Sequence, residues 1–276
     1  MIRFHFRRFV ARLWSGSRTA KRRPGAPRRT VVQPLESRVL LSAALVSDIN
    51  PVDLNSNPSS LTEVNGTLYF RANNGTNGVE LWKSDGTSAG TVLVRDIRSG
   101  GDSYPEYLTN VNGTLYFTAE DSNGKELWKS DGTSTGTVLV RDIWSGGGSF
   151  ARSLTNVNGT LYFTAYEGTH GHELWKSDGT SAGTVLVKDT RSGGDGSFPE
   201  YLTNVNGTLY FTAEDSNGKE LWKSDGTSAG TVLVGDIRSG GSSSYPGSLT
   251  NVNGTLYFTA TDGTNGRELW QSDGTS

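Results

Sequence analysis

One cassette of about 47 residues runs five times from Leu45 to Ser276, and nothing constrains the fold more. Its tryptophans fall at Trp82, Trp128, Trp175, Trp222 and Trp270, which are 46, 47, 47 and 48 residues apart. Tyr-Phe pairs keep step from Tyr69, Tyr116, Tyr162, Tyr210 and Tyr257. A unit this small cannot bury a core alone, so copies must stack, and the period confines the chain to an array or a propeller.

Within one cassette, Tyr107 to Val111 reads as a strand followed by Asn112-Gly113, a pair suited to a two-residue turn with positive φ. Thr114 to Ala119, Lys125 to Ser130 and Thr137 to Ile143 read as three further strands, rich in β-branched and aromatic residues. The segments Glu120 to Gly124 and Asp131 to Ser134 supply the turns between them. Tyr116-Phe117 and Leu127-Trp128 place large apolar groups on both faces of a strand, because side chains alternate with period two. A blade covered by a neighbour on each side meets that demand. The predicted fold is all-β: a five-bladed β-propeller of four-stranded antiparallel blades. Ala44 to Ile49 aligns with the fourth strand, and the last cassette stops after its third. The expectation is that this N-terminal strand pairs with the last blade and closes the ring, the alternative being an open or truncated array.

Charge divides the chain into two regions. Residues 1–43 carry ten Arg and one Lys against Glu36 alone, a net of +10, and residues 44–276 hold the other 15 basic and 27 acidic residues. The acidic repeat body lacks the clustered cations that phosphate binding needs, so nucleic acid is not expected as a partner. The basic head reads as an export or sorting segment. The chain has no cysteine, which excludes disulfides, thiolate metal sites and cysteine nucleophiles. No apolar run is long enough to span a membrane, and a monomer is expected.

The stretch E-L-W-K-S-D-G-T-S-A-G-T at Glu80 to Thr91, repeated from Glu126, Glu173 and Glu220, resembles the signature of the ELWxxDGT-repeat family. The resemblance covers nearly all of Leu45 to Ser276 and implies a bacterial exported or surface-associated repeat protein, with no catalytic residues to carry over. Q-P-L-E-S-R-V-L-L-S-A at Gln33 to Ala43 resembles the LEPR-XLL segment of exported planctomycete proteins, with Ser37 where that pattern has proline. It implies export, with processing near Ala43 or Ala44.

Several residues invite a chemical reading. Asp85, Asp131, Asp178, Asp225 and Asp273 of the S-D-G turn suit side-chain to backbone hydrogen bonds better than ligand binding. Asp48, Asp96, Asp142, Asp189 and Asp236 either cap strand ends or ring one mouth with carboxylates open to a cation. The loops at Asp121, Asp215 and Asp262 carry a faint calcium-loop spacing without its ordered ligands, so calcium is the one cofactor left open. His170 and His172 read as loop variation, the alternative being a metal pair. Asn65, Asn112, Asn158, Asn206 and Asn253 match a glycosylation pattern that their turns already explain. Near-identical blades supply near-identical environments, which argues against one asymmetric active site. They do supply equivalent weak sites at Tyr104, Phe150, Phe198 and Tyr245, aromatics beside polar loops; the alternative is that these rings plug gaps between blades. The expectation is a non-catalytic, secreted or cell-surface module of binding or structural type. A multivalent carbohydrate-binding propeller and a propeller hydrolase stand as alternatives, and the partner is an extracellular protein or glycan.

Overall fold

The computed structural model describes residues 43–52 and 55–275. The basic head up to residue 42, with its sorting motif, lies outside the described residues. The described residues form an all-β, propeller-type array of five antiparallel sheets. No helix among them is long and apolar enough to cross a membrane.

The first sheet contains β1 (Ser59–Val64), β2 (Thr67–Asn73), β3 (Val79–Ser84) and β4 (Val92–Arg95), paired in that order. The second contains β5 (Glu106–Val111), β6 (Thr114–Asp121), β7 (Gly124–Ser130) and β8 (Val138–Arg141). The third contains β9 (Arg152–Val157), β10 (Thr160–Glu167), β11 (Gly171–Ser177) and β12 (Val185–Lys188). The fourth contains β13 (Glu200–Val205), β14 (Thr208–Asp215), β15 (Gly218–Ser224) and β16 (Val232–Gly235). The fifth contains only β17 (Gly247–Val252), β18 (Thr255–Thr261) and β19 (Arg267–Ser272).

The Asn-Gly turns have positive φ at both residues, 51° at Asn112 and 84° at Gly113, which matches the right-handed twist of the flanking strands. β6 runs two residues further than the sequence suggests, because Glu120 pairs with Lys125 and Asp121 with Gly124 in a tight hairpin. The fourth strands are shorter than expected. At Ile143 the backbone N–H turns out of the ladder and donates to the Glu126 carboxylate at 3.4 Å.

The sheets stack through the alternation seen in the sequence. Val64, Tyr69, Leu81 and Val94 of the first sheet pack on Leu115, Phe117, Ala119 and Trp128 of the second. Tyr116 and Leu127 face the other way, onto Leu161, Phe163 and Trp175 of the third sheet. In the second, third and fourth sheets each Tyr-Phe and Leu-Trp pair therefore serves two interfaces at once. First strands of successive sheets run side by side. Asn110 Nδ2 donates to Glu63 O at 3.3 Å, Asn156 to Asn110 O at 3.2 Å, and Asn204 to Asn156 O at 3.2 Å.

The strand expected to close the ring does not pair with the last sheet. Residues 43–48 carry no strand, and Ile49 packs instead against Phe70, Ala72 and Trp82 of the first sheet. That place is the one Ile97 takes against the second sheet. The segment is thus seated where a preceding repeat's fourth strand would lie, over the buried Phe70, Ala72 and Trp82 of the first sheet.

Candidate functional site

The signature motif is used up in holding sheets together. Glu126 is fully buried, and its carboxylate accepts from Ser149 N at 2.6 Å, from Ser149 Oγ at 2.5 Å and from Ile143 N. Glu80, Glu173 and Glu220 hold Ser103, Ser197 and Ser244 in the same way. Burial pushes the carboxyls of Glu80, Glu126 and Glu173 up to about 7, with the donors pulling the other way, and it raises Glu220 too. Leu127 and Trp128 fill opposite interfaces, and Lys129 Nζ donates to Gly179 O of the next turn at 2.9 Å. Asp131 Oδ1 accepts from Thr133 N at 2.8 Å and from Thr133 Oγ1 at 2.7 Å. Asp85, Asp178, Asp225 and Asp273 close their turns identically. The glycine after each has positive φ, which favours glycine, and at Gly132, with φ 88°, a Cβ would also lie 2.3 Å from the Tyr69 hydroxyl.

Asp96, Asp142, Asp189 and Asp236 each lie one residue past the fourth strand, which is the strand farthest from β1, β5, β9 and β13 in its sheet, so they do not ring an inner mouth. Asp96 instead accepts from Asn77 Nδ2 at 2.9 Å. The polar loops close on themselves, with Asp121 accepting from Asn123 N, Asp215 from Asn217 N and Asp262 from Thr264 N and Asn265 N. His170 and His172 do not converge: His170 Nδ1 pairs with Glu167, while the His172 ring lies between Tyr166 and Phe198 at 5.2 and 5.4 Å. No three metal-ligating side chains group together among the described residues.

The four loop aromatics are placed alike and stand open. Tyr104, Phe150, Phe198 and Tyr245 are 45, 53, 38 and 56 % exposed. Each has its backbone in the left-handed region, with φ between 45° and 49°. A bulky residue there is strained by about 1–2 kcal/mol, and the corresponding residue of the first cassette, Asn57, is a type that tolerates the conformation better. The conformation is imposed from both sides. The aromatic N–H donates to the preceding sheet, as Phe150 N does to Lys125 O at 3.0 Å, while the neighbouring serine is locked onto the buried glutamate. The nearby Asp102 carboxylate raises the Tyr104 phenol above its usual value.

A second set of residues went unnoticed in the sequence. Tyr107 and Tyr201 occupy bulges of β5 and β13, with φ 55°, and are 46 and 51 % exposed. They flank a groove of about 510 Å³ that runs across β5, β9 and β13, with Ser153 between them. Tyr107 also meets Phe150, Lys125 and Arg152 around a cleft of about 190 Å³. The hint in the sequence was that this position of an otherwise well-kept strand alternates between Ser and Tyr, as Ser60, Tyr107, Ser153, Tyr201 and Ser248.

The third cassette departs from its neighbours. Where Arg98 pairs with Glu120 at 2.5 Å and Arg191 with Glu214 at 2.9 Å, Trp144 meets Tyr166 edge-on at 4.8 Å. An ion pair at a sheet junction is there replaced by an aromatic pair, continued by His172 and Phe198.

No protein-family model matches the chain, and no curated protein does. Among solved structures it is similar to a puromycin hydrolase, at 14 % identity and TM-score 0.43, over 75 % of this chain and 34 % of that one. It is also similar to a putative TolB from Agrobacterium tumefaciens, at 12 % and 0.38, over 75 and 74 % of the two chains. A third likeness is to an α-L-arabinofuranosidase from Clostridium thermocellum, at 15 % and 0.31, over 74 and 80 %. The chain spans about a third of the hydrolase's length. At these scores the likenesses carry nothing about activity.

Proposed function

We propose that the chain is a non-catalytic, secreted or cell-surface module that binds a polymeric carbohydrate through repeated aromatic sites. The observation that carries this reading is the set Tyr104, Phe150, Phe198 and Tyr245, strained in backbone and exposed in side chain. Strain that packing does not repay is kept where it orients a group for use. An open ring face takes the apolar C–H face of a sugar, and flanking hydroxyl, amide and carboxylate groups take its hydroxyls. Sites repeated at one period suit a ligand that is itself repetitive, because weak contacts then gain by avidity. The absence of catalysis is supported by how the repeated acids are used, since Glu80, Glu126, Glu173 and Glu220 are each buried against a serine. Export is supported by the N-terminal resemblance.

The test is retention of the full chain on a panel of insoluble and matrix-coupled polysaccharides, with and without calcium. Saturable retention is expected on at least one. Changing all four aromatics to Ala is expected to weaken it at least 100-fold, on the order of avidity gains, and any single change far less. Equal retention of the fourfold variant contradicts the reading, and so does failure to bind any polysaccharide.

A further inference from the structure

The third cassette carries a positive charge where its neighbours carry a negative one. At the first position of the first strand the five cassettes have Ser59, Glu106, Arg152, Glu200 and Gly247, each opposite the equivalent residue of the second strand. Glu106 pairs with Lys125 of its own sheet and with Arg71 of the preceding one at 3.1 Å, and Glu200 pairs with Lys219 at 2.5 Å. Among the described residues no carboxylate pairs with Arg152. His172 stands where those cassettes have Lys125 and Lys219. Burial, and after it the Arg152 charge, hold His172 below the usual histidine value, so its ring is neutral at pH 7 and gives Arg152 no counter-charge.

Arg152 opens onto the cleft of about 190 Å³ that it lines with Tyr107, Lys125, Phe150 and Ala151. Ala151 is buried, whereas Tyr107 and Phe150 present exposed rings. Arg71, Lys125 and Arg152 have only the Glu106 carboxylate between them, which leaves two positive charges uncompensated. This happens in a repeat body of 15 basic and 27 acidic residues. A cationic spot in an acidic surface draws an anion to that place and to few others.

We propose that this cleft is a subsite for one acidic sugar residue, a hexuronate, with its carboxylate on Arg152 and its ring on the side of Tyr107 and Phe150. The inference rests on the polysaccharide reading above and names the class of polymer. A guanidinium presents a planar fork of donors that matches a carboxylate, and the exposed rings suit the C–H face of the same sugar. The other loop aromatics take a sugar of either kind. Arg152 makes one of the sites selective, and avidity passes that preference to the whole chain.

The test is retention of the full chain on polygalacturonate, alginate and hyaluronate, each beside its carboxyl-reduced form, which keeps the backbone and loses the charge. Retention at least about 10-fold stronger on one of the acidic polymers is expected, the value of one charged hydrogen-bonded contact. Arg152→Gln is expected to remove that preference and leave retention on the reduced polymer unchanged. Arg152→Glu, which installs the residue of the two neighbouring cassettes, is expected to reverse it. The position already takes five different residue types less one repeat, so both variants fold. The basic head is the same in every variant and cancels from the comparison, and Arg238→Gln, which removes one charge elsewhere, is expected to change the preference little. Equal retention on acidic and reduced polymers, or equal effects of Arg152→Gln and Arg238→Gln, overturns this inference and leaves the polysaccharide reading standing. An Arg152-dependent preference for a sulfated polymer over all three polyuronates overturns the carboxylate assignment. Retention on no polymer, acidic or neutral, overturns both.

Discussion

Leu127→Ala is expected to destabilise the array by about 2–5 kcal/mol, while the same change at Leu269 in dilute protein costs under about 0.5 kcal/mol. Both residues are the leucine of the same motif. Leu127 is fully buried between the second and third sheets, so its loss leaves a cavity lined by Leu161, Phe163 and Trp175. Leu269 has nothing packed over it to leave a void. Urea unfolding followed by tryptophan fluorescence measures both in the same chain. Equal costs would mean that the two faces are equally covered in solution, contrary to the stacking described.

Glu126→Ala is the second large effect. It removes the acceptor for Ser149 N, Ser149 Oγ and Ile143 N inside a closed junction, and unpaired buried donors cost about 1–3 kcal/mol each. A total of at least about 3 kcal/mol at pH 5 is expected. The same group makes the fold pH-dependent. With its pKa raised from 4.5 to about 7, the folded state holds a proton that the unfolded chain has lost between those values. Stability is therefore fully present below pH 4.5 and declines as pH rises through about 7. Glu80, Glu173 and Glu220 act in the same direction. The turn aspartates, with Asp131 held below its usual 3.8 by Thr133, lose their contribution only as pH falls under that value. The stability maximum is expected near pH 4.5, with Tm falling by on the order of 10 °C between pH 5 and pH 8. Glu126→Ala flattens that decline by one group's share. A melting curve that rises over the same interval would show that the glutamates are not buried as described.

The architecture was legible because the period, the Asn-Gly turns and the paired apolar residues each have a single physical reading. Tyr116-Phe117 demands two buried faces, and Asn112-Gly113 demands a tight hairpin. The sites were harder to read. Tyr104, Phe150, Phe198 and Tyr245 stand out as aromatics in polar loops, but their left-handed backbone is fixed by a serine–glutamate lock reaching across more than twenty residues. Tyr107 and Tyr201 were hidden because a bulge flips one residue out of an otherwise alternating strand, and periodicity does not mark where the register slips. The fate of Ala44–Ile49 was misread for a related reason. Its sequence matches a fourth strand, but such a strand has two neighbours, the sheet it pairs with and the sheet it packs on, and a match to sequence does not choose between them.

The most direct test of the central claim is the melting temperature of the chain with Tyr104, Phe150, Phe198 and Tyr245 all changed to Gly. If these rings are held out for a ligand against backbone strain, glycine relieves about 1 kcal/mol at each position and Tm stays level or rises by a few degrees. If they plug gaps between blades, the same variant loses buried ring surface at four junctions and Tm falls by several degrees, which would contradict the account.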